Sequence, residues 1–143
     1  MGEGAALLSL CVSLTKPTLV VETGVGAGFS TTFFLQTLKM NNHEKLYSLD
    51  FYKDDEPCGW IIPNNLENRW ELARGLSGQG LNPLLEQLGE IEVFIYDAGH
   101  SYENMMTEFG TVRPFLKSGG VFLAYEVGRN DALFDFCREV NFS

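Results

Sequence analysis

From Val20 to Phe34 the chain reads VVETGVGAGFSTTFF: a β-branched apolar run, then Gly24, Gly26 and Gly28 within five positions, then residues at helical spacing. A strand that turns on glycines straight into a helix places backbone N–H groups and a helix N-terminus at the carboxyl edge of a sheet, where such folds bind ligands. Glycine suits that turn because it lets a ligand approach the backbone closely.

The same alternation continues along the chain. Further strand-like runs lie at 45–51 (KLYSLDF), 70–75 (WELARG), 91–97 (IEVFIYD) and 119–127 (GGVFLAYEV), the first beginning at 18 (TLVVET). Helical spacing occupies 30–40, with Phe33, Phe34 and Leu38 on one face, 81–89, 101–116 and about 131–140. In 101–116, Tyr102, Met105, Met106 and Phe109 are in register, and Tyr102 and the two methionines are expected in the core. An amphipathic helix over 4–15 offers Leu7, Leu8, Cys11, Val12 and Leu14 as its apolar face. Strands alternating with helices of this length imply parallel pairing through right-handed crossovers, hence an open α/β sheet of the Rossmann-like, doubly wound class. Residues 52–69, with two prolines, a glycine and a charged cluster, are expected to form a surface loop with at most a short helix.

A chain of 143 residues, 45% apolar, suits one core. We expect a single domain over 1–143, with an N-terminal helix in 1–16 and the α/β core in 17–143. The net charge of −9 would repel a nucleic-acid backbone, so no nucleic-acid partner is expected. The apolar run GAALLSLCVSL falls short of the ~20 residues that span a bilayer, so no membrane partner is expected either. Cys11, Cys58 and Cys137 are too dispersed for a disulfide framework or a zinc site, which fits a reducing cytoplasm.

The glycines give G-x-G-x-G, and Phe29 stands where a dinucleotide-binding turn would carry its third glycine, which argues against NAD. Glu22, two residues before Gly24, brings a carboxylate to the strand end, where a pyrophosphate is repelled and a cation stabilised. Asp50, 22 residues past Gly28, ends the second strand run and can accept ribose hydroxyls. S-adenosylmethionine meets these requirements, with an ammonium, a sulfonium and no phosphate. The stretch ETGVGAG resembles the first motif of the class I S-adenosylmethionine-dependent methyltransferases, acid-x-Gly-x-Gly-x-Gly, at every specified position. FIYDAGHSYENMMTEF (94–109) is similar to a small-molecule O-methyltransferase-like subgroup with an Asp-x-x-His-x-Tyr-Glu signature, and PFLKSGGVFLAYEV and NDALFDFCRE extend the resemblance over about residues 3 to 140.

The resemblance implies a sheet of about five strands in the order 3-2-1-4-5, without the antiparallel hairpin that usually follows, and an open edge strand that favours a homodimer. It implies methyl transfer to a small-molecule acceptor, expected to be a hydroxyl. Glu22, Gly24, Gly26, Gly28 and Ser30 would hold the methionine part, Asp50 the ribose, and Leu76 and Ser77 the adenine neighbourhood, with Phe51 also in the cofactor site. Asp97 would be both a catalytic and a cofactor-binding residue, and His100 would act as general base, imidazole as a class titrating near neutrality, or would orient the Asp97 loop. Ser101 reads as the N-cap of the next helix, with Glu103 in its first turn. Magnesium, if bound at all, would use Asp97 and Glu126, but the related strand ends in Asp-Asn where this chain has Tyr125-Glu126, so no metal is expected. Two other readings remain: a non-catalytic module binding S-adenosylmethionine or S-adenosylhomocysteine, and an NAD-dependent oxidoreductase.

Overall fold

Strand residues 91–96, IEVFIY, show how the sequence builds two cores from one sheet. Successive side chains of a strand point to opposite faces. Val93 and Ile95 enter one apolar cluster, while Phe94 and Tyr96 enter the other. All four are fully buried, as near-continuous apolar strands of a parallel sheet must be when helices cover both faces.

A computed structural model of the chain describes residues 2–42 and 45–141; the expected domain limits, residues 1 and 143, lie outside the described residues. The elements run α1 (Gly2–Thr15), β1 (Leu19–Thr23), α2 (Phe29–Asn41), β2 (Lys45–Asp50), β3 (Trp70–Arg74), α3 (Ser77–Leu88), β4 (Ile91–Tyr96), α4 (Tyr102–Val112), β5 (Leu116–Ala124) and α5 (Ala132–Val140). The strands lie in the order β3-β2-β1-β4-β5, every pairing parallel, as the alternation and the resemblance predict. Among the described residues, no helix is long and apolar enough to cross a membrane.

On one face, α3, α4 and α5 bring Leu81, Leu85, Met105, Phe109, Val112 and Phe136 against Leu49, Phe94 and Tyr96. Phe109 meets Tyr96 and Phe122 edge-on, with ring centroids 5.1 and 4.9 Å apart. Such geometry sets the positive rim of one ring against the negative face of the other. On the opposite face, Val12 of α1 and Phe34, Leu35 and Leu38 of α2 pack on Val20, Leu46, Val93 and Ile95. Thr23 is level with Leu49 on one side and Tyr96 on the other, so β1, β2 and β4 end together at one edge.

Several expectations are corrected by the packing. Helix α1 buries Ala5, Ser9 and Val12, while Leu7 and Leu14 of the expected apolar face stand in solvent beside Leu10. Helix α3 starts at Ser77 rather than 81, across residues of low helix propensity. Gly80 lets it lie on the sheet, since a Cβ there would be 3.1 Å from Leu49 Cδ1. Helix α4 stops at Val112, gives way to a 3-10 turn at Arg113–Phe115 where Pro114 lacks an N–H, and β5 then begins at Leu116. Tyr102 lies at the surface, its hydroxyl donating to Asp135 Oδ2 at 2.9 Å, whereas Met105 is buried as expected.

The connection from β2 to β3 is only in part a surface loop. It contains the short 3-10 helix Asn64–Arg69, and it drives Ile62 and Leu66 into the cluster beneath α2. Leu66→Ala should therefore cost about 2–5 kcal/mol in denaturant unfolding, as for a buried leucine. A change below ~0.5 kcal/mol would return the segment to the surface.

Candidate functional site

The three glycines of the turn between β1 and α2 answer three different demands. All have positive φ, +86° at Gly24, +56° at Gly26 and +97° at Gly28. At Gly24 the backbone of β4's end comes so close that a Cβ would collide with the Asp97 carbonyl oxygen. At Gly28 a Cβ would lie 2.7 Å from Ile62 Cγ1 and 3.0 Å from Gly59 Cα, because the β2–β3 connection crosses the turn there. At Gly26 a Cβ would meet nothing within 4 Å. Its openness leaves the backbone free for something outside the protein to approach.

The connection holds the turn from above: Gly59 N donates to Gly26 O at 2.8 Å and Ile61 N to Ala27 O at 3.1 Å. Asp50 holds it from the side. Its Oδ2 accepts from Val25 N and Gly26 N, both at 2.8 Å, and its Oδ1 from Phe51 N at 2.7 Å. A carboxylate has about four acceptor positions, so one on Oδ1 remains open.

Two cavities meet at Gly26 and Asp97, which line both. The first, about 270 Å³, is walled by Val25 of the turn, Phe29 and Ser30 at the start of α2, Ala5 of α1, and His100, Tyr125 and Glu126 beyond β4 and β5. The second, about 350 Å³, is lined by Gly24, Asp50 and Phe51, by Gly75, Leu76 and Ser77 after β3, and by Ala98, Gly99 and Asn104 after β4. Of the residues singled out from sequence, the structure thus brings Gly24, Gly26, Ser30, Asp50, Phe51, Leu76, Ser77, Asp97, His100 and Glu126 to one continuous edge. Asn104, Gly99 and Tyr125's role as a wall were not foreseen as site features. Asn104 sits at the N3 position behind the Ser101 cap, which was legible, since Asn104 N donates to Ser101 Oγ at 3.2 Å.

Glu22 and Gly28 line neither cavity. Glu22 points from β1 toward α2, fully buried, and its carboxyl group accepts from Thr31 Oγ1 at 3.0 Å and Ser48 Oγ at 2.7 Å. Trp70 Nε1 in turn donates to Ser48 Oγ at 2.9 Å. Burial, only partly offset by these hydroxyls, pushes the Glu22 carboxyl up to about 8. The acid expected to face a cation at the strand end instead ties β1, β2, β3 and α2 together beneath the turn. Its neighbour Thr23 makes the mirror arrangement on the other face, donating to the buried Glu108 of α4 at 2.7 Å.

Asp97 is raised to about 6, first by burial and then by Glu126 and Asp50. His100 Nε2 lies 3.6 Å from Glu126 Oε2, and its Nδ1 is buried without a hydrogen-bond partner. Glu126, in a left-handed conformation at φ +50°, also accepts from Arg129 at 2.8 Å. Among the described residues no three of His, Cys, Asp and Glu are grouped so that they could hold a metal ion, and Glu126 already serves Arg129.

Two outcomes follow from this geometry. Gly26→Ala should cost about 1–2 kcal/mol, the penalty of a left-handed residue, whereas Gly24→Ala should cost more than about 4 kcal/mol by backbone collision; equal thermal shifts would refute the distinction. The second concerns Glu22. Between its ordinary value of 4.5 and about 8, the unfolded chain releases a proton that the folded chain retains. Stability from this group is complete below 4.5 and declines as pH rises toward 8. The urea midpoint should fall from pH 5 to pH 8, and Glu22→Gln should flatten that fall; an unaltered slope would contradict the buried proton.

The architecture recurs in solved structures. An O-methyltransferase from Bacillus cereus, in complex with SAH, superposes with a TM-score of 0.74 at 16% identity, covering 99% of this chain and 68% of that one. TomG, an O-methyltransferase from Streptomyces achromogenes involved in tomaymycin synthesis and solved with SAM, gives 0.76 at 13% identity, covering 99% and 67%. The SAH-bound Podospora anserina methyltransferase PaMTH1 gives 0.66 at 16% identity, covering 84% of this chain and 50% of its own. The chain therefore spans between half and about two thirds of the length of these proteins. No curated protein matches the sequence. The model of a methyltransferase-domain family matches residues 21–125, from β1 to the residue after β5, and the chain belongs to that family.

Proposed function

We propose that the chain binds S-adenosylmethionine and transfers its methyl group to a hydroxyl of a small-molecule acceptor, acting as a single domain. The observation that supports this most directly is the cleft divided at Gly26 and Asp97. One half offers the acceptor groups and apolar surface a nucleoside requires; the other has the imidazole of His100 in its wall. The family match and neighbours solved with SAM or SAH favour the same donor.

In this reading the open position on Asp50 Oδ1 accepts a ribose hydroxyl, Phe51 and Leu76, 58% and 50% exposed, flank the base, and Gly26 and Ser30 meet the methionine part. Glu22, Gly24 and Gly28 act from behind, by holding the turn's shape. Asp97 borders the sulfonium, where a carboxylate in a low-dielectric cleft favours positive charge.

Transfer is an in-line displacement at carbon: the acceptor oxygen forms the new bond, the C–S bond breaks, and the sulfonium leaves as a neutral thioether. The protein aligns donor and acceptor and removes the hydroxyl proton. We assign that step to His100, which lines the acceptor cavity with its Nε2 3.6 Å from Glu126 Oε2. The acceptor occupies the cavity between α1's first turn and the β5 end. We place the chain in the cytoplasm, and assign the exposed β5 edge to a homodimer contact.

Calorimetric titration with S-adenosylhomocysteine and NAD, followed by transfer of a labelled methyl group to a panel of phenols and sugars, tests the proposal. Micromolar binding of the first and none of the second is expected. Asp50→Ala should weaken binding about tenfold or more, the loss of a charge-assisted bond worth roughly 1.5–3 kcal/mol. His100→Ala should leave that affinity within about twofold and slow transfer about 10²-fold or more. Binding without transfer to any acceptor would favour a non-catalytic module; NAD binding alone would favour an oxidoreductase.

A further inference from the structure

Tyr125, the first residue past β5, is held at both ends. Its backbone N donates to Tyr96 O at 2.8 Å, one residue beyond the ladder. The far end of its ring lies on the first turn of α1 at Gly4, where a Cβ would be 2.5 Å from Tyr125 Oη and 2.9 Å from Cζ. The absence of a side chain at position 4 admits the ring at that depth. Half-buried, the ring reaches from the sheet edge to α1.

Hollows lie on both sides of it. The cavity of about 270 Å³ beside Asp97 and His100 has Tyr125 in its wall, with Ala5, Val25 and Phe29 as apolar surface. A second recess, about 430 Å³, is lined by Glu3, Gly4, Leu7 and Leu8 of α1, and by Ala124 with the same Tyr125. Residues 4, 7 and 8 are three and four apart, so they form one stripe of the helix. Leu7 is 62% exposed, which leaves that stripe open to a ligand. Glu126 also borders both hollows, but its carboxylate accepts from Arg129 at 2.8 Å, and the apolar part of the divide is the Tyr125 ring.

We infer that Tyr125 is a specificity-determining residue: its ring closes the acceptor cavity, restricts the acceptor to a single-ring phenol with short substituents, and keeps longer substituents out of the recess along α1. The inference rests on the methyl-transfer reading above. A cavity of about 270 Å³ is smaller than the roughly 300–1,000 Å³ that holds a drug-sized ligand, and in that reading Gly26 and Ser30 give part of it to the donor. What remains takes one ring. Phe29, itself held edge-on by Phe33 with centroids 5.4 Å apart, offers that ring an aromatic partner. Without the Tyr125 ring the cavity and the recess run together, and an apolar tail on the acceptor reaches Leu7 and Leu8.

The test measures calorimetric affinities of 4-methylphenol, 3-butylphenol and 4-butylphenol for the full chain saturated with S-adenosylhomocysteine. In wild type neither butylphenol should bind more than about twofold tighter than 4-methylphenol, although each CH₂ moved onto apolar surface is worth up to about fourfold. In Tyr125→Ala at least one butylphenol should bind about tenfold or more tighter than 4-methylphenol. Tyr125→Phe, which keeps the ring, should behave as wild type. Tyr125→Leu removes the ring but keeps apolar contact with Gly4; it should show the same gain, and it carries the test if the alanine variant loses S-adenosylhomocysteine. Adding Leu7→Gln to the ring-removed variant should abolish most of the gain, because Leu7 lines the recess and not the cavity. Wild-type affinity that climbs with chain length, an unchanged order in the ring-removed variants, or a gain that survives Leu7→Gln would overturn the assignment. So would wild type that holds S-adenosylhomocysteine but binds no 4-methylphenol. Failure of wild type to bind S-adenosylhomocysteine would instead overturn the methyl-transfer reading on which the inference rests.

Discussion

The close approach of two backbones at Gly24 organises the edge of the sheet. Asp97 N donates to Thr23 O at 2.8 Å, Gly24 N to Leu49 O at 2.9 Å and Tyr125 N to Tyr96 O at 2.8 Å, so each strand end is stitched to its neighbour one residue past the ladder. A side chain at position 24 would pry β1 from β4. With glycine there, Asp50, Asp97 and Glu126 leave the sheet at nearly the same height and face one cleft. The glycine turn then closes on itself, held by Asp50 from the side and by the Gly59–Ile62 segment from above.

That stitching gathers acids. Asp50, Asp97 and Glu126 come together at the surface of the cleft, with Glu22 buried beneath it, and Arg129 answers only Glu126. Burial and mutual repulsion both favour the proton on Asp97, and a cationic group placed among these carboxylates would relieve the repulsion. The sulfonium of the proposed donor has that character, whereas a pyrophosphate would add to the negative charge. The two deepest acids, Glu22 and Glu108, are satisfied differently, by hydroxyls from Thr31 and Ser48 and from Thr23. They hold one helix on each face of the sheet at the point where the turn begins.

Much of the cleft was legible because its parts are local in sequence. The glycine spacing, the acid ending β2 and the serine capping α4 are short-range signals whose physical meaning does not depend on what packs against them. Glu22 was misplaced because a strand alternates its faces: one residue before the open end, a side chain points into the layer beneath α2, not out of the sheet. Tyr102 and the leucines of α1 were assigned to the core by periodicity alone, yet periodicity marks a stripe and not the partner that covers it. Asn104 gave no signal, since its amide acquires an orientation only from Gly99 and from Glu108 one helical turn later.

The sequence by itself determined the parallel α/β sheet, its strand order through the resemblance, and the edge at which ligands would gather. Alternating apolar runs and helical segments admit few topologies, and glycines at required positive φ mark the turn directly. Only the tertiary structure decided which acid faces the cleft and which is buried, which face of α1 is covered, and that residues 59–62 clamp the glycine turn. These depend on contacts between segments distant in the chain, and burial in a low-dielectric interior reverses what the same carboxylate would do at a solvated strand end.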